Sequence, residues 1–159
     1  MLKRFFPLLL VFALLLSLFS CGEEYYGHAE LRISLPRDFK SFEAENFDSS
    51  YTDGECIVGI YRISFEAGFN QGIPDFLTAR EFALFYMQAT KRESQIKDYG
   101  TVPYYEYEEV QDGLTNVYTA TFFRSKYAYF ILLFATPVTL HEEKLPEILS
   151  YTDTVIFIK

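Results

Sequence analysis

Two histidines, two cysteines and a short run of carboxylates are the residues of this 159-residue chain whose chemistry could go beyond packing. His28 and His141 stand far apart, and neither falls in a metal-ligand spacing such as H-x-x-x-H. His141 precedes Glu142 and Glu143, a weak candidate trio for a divalent cation, although acidic residues in the first turn of a helix are already accounted for by the helix dipole. Glu106, Glu108, Glu109 and Asp112 gather more oxygens, but without the D-x-[DN]-x-[DN]-G pattern of a calcium loop. On a strand, Glu106 and Glu108 would share one face with Tyr104, while Tyr105, Tyr107 and Glu109 occupy the other. The nucleophile-elbow pattern G-x-S-x-G and the phosphate-cradling G-x-x-x-x-G-K-[ST] are both absent. No catalytic residue, bound metal or cofactor is therefore assigned. The chain is expected to act by binding, and the alternative is a metal-dependent or acid/base hydrolase using His141 with nearby carboxylates.

The cysteines read differently from one another. Residues 1–22 run Met-Leu-Lys-Arg, then an almost wholly apolar stretch from Phe5 to Phe19, then Ser20-Cys21-Gly22, which is the order of an export signal. Leu18-Phe19-Ser20-Cys21 resembles the bacterial lipobox, with Phe19 as its departure from the usual small or aliphatic residue. That resemblance implies acylation of Cys21 after removal of residues 1–20, with palmitate-type chains holding the protein in the cell membrane or outer membrane on its extracytoplasmic face. Residues 21–29 are then expected as the acylated cysteine and a short tether, and 30–159 as one globular domain. Cys56 is left without a partner, and the apolar run after it marks it as a small buried hydrophobe. Asp53 and Glu55 beside it would raise its thiol pKa and blunt its reactivity.

Charge narrows the range of partners. The chain carries a net charge of −8, and with Lys3 and Arg4 in the signal, 12 basic side chains face 22 acidic ones in the remainder. A surface of that sign repels nucleic acid and anionic headgroups, so nucleic acid is not expected as a partner. The expected partners are the membrane, through the lipid on Cys21, and an envelope protein or small ligand. Seventeen Phe and 13 Tyr with no Trp supply enough large rings to fill the space between a sheet and its helices.

The elements that must carry these residues are legible from periodicity. Leu31–Leu35 alternates apolar and polar positions as a half-buried strand does, and Pro36 ends it. The cluster 49–54 has turn composition, with Asp53-Gly54 leading into a strand from Cys56 to Phe65 that is apolar on both faces. Residues 66–76, rich in glycine, are expected to be irregular. Thr78-Ala-Arg-Glu81 is a capping box that opens a helix to about Lys91, with Phe82, Phe85, Tyr86 and Ala89 on one side. After a polar linker, 92–101, three strands follow in meander order over about 103–110, 114–123 and 127–136, with turns at Asp112-Gly113 and at 124–126. A second helix spans about 140–151, its regular part delayed to Leu145 by Pro146, and 154–158 is a last strand.

These elements sum to an α+β domain, a mainly antiparallel sheet of about six strands covered by helices. The opening Ile33-Ser-Leu-Pro36 with Asp38-Phe39, the meander ending in Phe130-Ile-Leu-Leu-Phe-Ala-Thr-Pro137, and the segment Leu145–Ser150 running into Val155-Ile-Phe157 resemble the PsbP-like α/β/α sandwich. That fold is shared by a photosystem II extrinsic subunit, a Ran-binding import factor and many small bacterial lipoproteins. What the resemblance implies is a docking scaffold with no shared enzyme activity. The candidate binding surface is the tyrosine set Tyr104, Tyr105, Tyr107, Tyr118, Tyr127 and Tyr129, whose rings join an apolar body to a polar tip; packing in the core is the competing use for them.

Overall fold

The computed structural model describes residues 24–28, 30–111 and 113–158. Residues 1–20, expected as an export signal, Cys21 and Asp112 of the meander turn lie outside them. Ten strands and three helices are described: β1 (Glu24–His28), β2 (Leu31–Leu35), β3 (Lys40–Ser41), β4 (Ser49–Thr52), β5 (Ile57–Ser64), α1 (Phe65–Asn70), α2 (Ala79–Ala89), β6 (Lys97–Tyr99), β7 (Val102–Gln111), β8 (Leu114–Arg124), β9 (Ala128–Pro137), α3 (Val138–Thr152) and β10 (Ile156–Phe157). A seven-stranded sheet has the order β3-β4-β5-β9-β8-β7-β6, and a three-stranded sheet the order β1-β2-β10, with every pairing antiparallel. The α+β class and the covered antiparallel sheet are as expected from periodicity.

Alternation along the central strands sends side chains into two cores. From β9, Ala128, Phe130, Leu132 and Phe134 join Val58 and Ile60 of β5, Leu31, Ile33 and Leu35 of β2, and Ile148 of α3. Tyr129 and Ile131 face the other way and join Phe82, Ala83 and Met87 of α2 with Tyr105 and Phe122. The large sheet is thus the middle layer, between the small sheet with α3 on one side and α2 on the other. Each fully buried Phe or Leu stabilises the fold by ~1.5–3 kcal/mol, so a strand loaded on both faces is the strongest organiser in the chain.

Where the structure departs from the periodicity, the reasons are local or tertiary. Glu24–His28, expected as tether, is instead an edge strand on β2, its Gly27 N–H donating to Tyr51 Oη at 3.0 Å. Residues 49–52 and 97–99 are strands within segments read as turn and linker. All three are short and rich in polar residues, too short for alternation to register; 24–28 and 97–99 are edge strands, and 49–52 lies between β3 and β5. The glycine-rich loop begins with the six-residue α1, capped by Ser64, whose Oγ accepts from Ala67 N–H at 3.1 Å. In α2 the capping box forms as expected, but the buried stripe is Phe82, Ala83 and Met87, and Ala89 is exposed. α3 runs through Pro146 from Val138, so the expected delay to Leu145 does not occur. A proline inside a helix costs ~3 kcal/mol, and burial of His141 before it and Ile148 and Leu149 after it holds the helix together across that break. Cys56 is buried just ahead of β5, and burial, reinforced by Asp53, pushes its thiol up to about 12.

Gly59 of β5 is required by close approach. A Cβ there would lie 2.0 Å from Phe47 Cε1, in a place where the Phe47 ring packs at a tilt against Tyr61 with centroids 4.6 Å apart. Gly59→Val is expected to destabilise the domain by ~1–3 kcal/mol as the ring is displaced, measured as a lower urea midpoint with unchanged slope.

Candidate functional site

Four elements meet at His141. The first turn of α3 carries its ring onto the sheet, where Nε2 lies 2.6 Å from Glu106 Oε1 of β7 and Nδ1 lies 3.0 Å from Thr136 Oγ1 of β9. A carboxylate only accepts, so Nε2 donates to Glu106, and the Thr136 hydroxyl, which can donate or accept, bonds Nδ1. Lys97 of β6 binds the second oxygen of Glu106, and Ser94 Oγ donates to the Glu106 backbone carbonyl at 2.7 Å. Burial works against the Glu106 carboxylate, but the hydrogen bonds from Lys97 and His141 outweigh it and hold the group below its ordinary range.

Glu106 and His141 of this chain of polar groups line a cleft of about 330 Å³ together with Tyr107, Glu108, Val117, Val138 and Glu142. Glu142 is on its rim and Glu143 is exposed, while both nitrogens of His141 are engaged elsewhere. Among the described residues, no group of three His, Cys, Asp or Glu side chains is placed to hold a metal. Thr136 is fully buried, so the hydroxyl nearest the ring is shielded from any substrate. The pairing of His141 with Glu106 was not foreseeable from spacing, because 35 positions separate them. Ser94-Gln95-Ile96-Lys97 has the spacing S-x-x-K, but here Ser94 Oγ donates to the Glu106 backbone carbonyl and Lys97 to the Glu106 carboxylate.

The tyrosine set divides among three places. Tyr104 is buried on the α3 side of β7, with Lys97 Nζ 5.8 Å from its ring centroid. Tyr105, Tyr107, Tyr118 and Tyr129 lie on the α2 side. There Tyr107 stacks on Tyr118 at 5.1 Å, Tyr129 stacks on Phe82 at 4.2 Å, and the Tyr129 hydroxyl donates to Pro74 O at 2.7 Å. Arg92 covers Tyr107 at 4.0 Å and pairs with Glu109. Burial pushes the Tyr105 phenol up to about 12. Only Tyr127 of the set is strongly exposed, at 61%, in the turn between β8 and β9.

Tyr127 belongs to a second recess, of about 550 Å³, lined by Glu30, Ser125, Lys126, Tyr127, Phe157 and Ile158 and predominantly apolar. Phe157 is 42% exposed and leans on the core ring of Phe130 with centroids 5.7 Å apart. Ser125 shapes the turn, its Oγ accepting from Ala128 N–H at 3.0 Å and Tyr127 N–H at 3.2 Å, so the Tyr127 ring projects beyond the sheet. Lys126 Nζ sits 5.1 Å from that ring. Phe157 was missed as a site residue because nothing in Val155-Ile-Phe-Ile158 distinguishes an edge strand from a buried one.

Among the described residues, no helix is long and apolar enough to cross a membrane. No family model matches the chain, and no curated protein does. Solved structures do. A protein of Bacteroides thetaiotaomicron superposes with a TM-score of 0.60 at 13% identity over 87% of this chain, which spans about half of that protein's length, 49%. The cyanobacterial PsbP, CyanoP, of Synechocystis superposes at 0.55 with 11% identity over 87% of this chain and 94% of that one. LpqN of Mycobacterium tuberculosis, a protein involved in cell envelope biogenesis, superposes at 0.50 with 8% identity over 87% and 91%. At these identities the likeness is one of fold, and the expected resemblance holds: the domain has the PsbP-like fold.

Proposed function

We propose that this chain is a lipid-anchored extracytoplasmic docking module that binds an envelope protein or small ligand through the Tyr127–Phe157 recess. The observation that carries this reading is the recess itself, where two exposed rings, backed by the core through Phe130, rim apolar surface that the fold leaves unfilled. The likeness to CyanoP and to LpqN supports a docking role in the cell envelope by analogy of fold. The test is site-directed photocrosslinking in intact cells, with p-benzoylphenylalanine in place of Tyr127 or, as a control at the opposite end of the sheet, of Val110. Adducts are expected from position 127 and lost on Phe157→Ser. Equal labelling from position 110, which is also exposed, would show the recess to have no special role.

A second reading, a hydrolase using His141 with Glu106, takes its support from their hydrogen bond beside an acidic cleft. If it holds, a divalent ion or a generic ester substrate raises the melting temperature, as binding to the folded state alone requires, and His141→Gln abolishes the rise. No rise with any ion or ester excludes it.

The Glu106–His141–Thr136 chain fits a latch that docks α3 on the sheet. Glu106 titrates lower in the folded than in the unfolded state, so its contribution is complete above the unfolded value of ~4.3 and is lost as pH falls through the folded value. Glu106→Gln is expected to cost on the order of 1 kcal/mol at neutral pH. Urea melts at stepped pH should show the two proteins converging in acid.

A further inference from the structure

We propose that the Glu24 end of the small sheet rests directly on the bilayer, leaving the Tyr127–Phe157 recess turned away from it. This builds on acylation of Cys21. β1 begins at Glu24, three residues beyond that cysteine, and a chain covers at most ~3.6 Å per residue even when fully extended, so the first residue of β1 stays within ~11 Å of the acylated Cα. A domain of this size has a radius of gyration of ~14 Å. The leash is shorter than the body it holds, and the side from which β1 emerges must therefore touch lipid.

The residues at that end suit the contact. Glu24 pairs with Leu35, so the chain leaving β2 passes beside the anchor. The Tyr26 hydroxyl donates to Phe39 O at 3.1 Å and ties the segment after β2 to β1. Tyr25, 59% exposed, follows Glu24 on β1, and Arg37, Lys40 and Phe42 are exposed in the segment that follows β2. Amphipathic rings interleaved with long cations are the side chains that sit at a headgroup boundary. Exposed Asp38 and Glu43 offset the cations, so the contact rests on rings and leash, and a zwitterionic surface suffices. Phe157 pairs with Leu31, four residues along β2 from Leu35, or ~13 Å at the rise of a strand, which sets the recess at the far end of the same sheet.

The chain has no tryptophan, so a single introduced one reports depth without background. Full-length acylated Tyr25→Trp and Tyr127→Trp variants are reconstituted in phosphatidylcholine vesicles with and without brominated acyl chains, and acylation is verified by intact mass. The Tyr25→Trp emission is expected to be largely lost on brominated lipid and the Tyr127→Trp emission retained. A Gly/Ser insert of about twenty residues between Gly22 and Glu23, with a mean span of ~25 Å, should restore the Tyr25→Trp emission. Equal quenching of both positions, or of neither, in acylated protein overturns the orientation and leaves the anchor standing. A mature mass without acyl chains overturns both.

Discussion

β9 contributes side chains to two cores at once, and the rest of the architecture depends on that double loading. Phe130, Leu132 and Phe134 hold the small sheet and α3, while Tyr129 and Ile131 hold α2. Its neighbours β5 and β8 are fastened to it by long antiparallel ladders, so the layers on either face are positioned by one strand. Short polar strands can then sit at both edges of the large sheet, because none of them has to supply the core.

The same arrangement decides the fate of the polar groups. Thr136, at the end of β9, meets the first turn of α3, which follows without a loop, and brings His141 within reach of Glu106 two strands away. The histidine is thereby held at both nitrogens, and the carboxylate it meets is also held by Lys97. A group so fully engaged orients a helix well. To act on a substrate it would first have to give up a bond. Cys56 follows the same logic, since burial and nearby acids keep its sulfur protonated.

The proposed docking surface lies at what the layers leave uncovered. The turn between β8 and β9 lifts Tyr127 past the sheet, and β10 brings Phe157 to it from the small sheet, so the recess exists only where two layers end together. The small sheet thereby links the two ends of the proposed function, with the chain toward Cys21 at the Glu24–Leu35 end and the recess near Leu31.

The amino-acid order alone determined the elements whose side-chain period is strong. The strand Leu31–Leu35, the capping box at Thr78–Glu81, the three meander strands and the α+β class all follow from local alternation and capping chemistry, and the three-residue distance of Cys21 from β1 is likewise a matter of counting. Tertiary structure decided the remainder. The short strands β1, β4 and β6 have too few residues and too many polar ones to carry a period, and α3 continues through Pro146 because packing on both sides of the break outweighs propensity. The tyrosines show the limit most directly. Tyr127 and Tyr129 are two positions apart on the same apolar run, yet one is exposed and the other buried, because only the turn at Ser125 and the presence of α2 distinguish them. Burial is a property of what lies opposite a side chain, and the neighbours opposite are set by long-range pairing that local sequence does not encode.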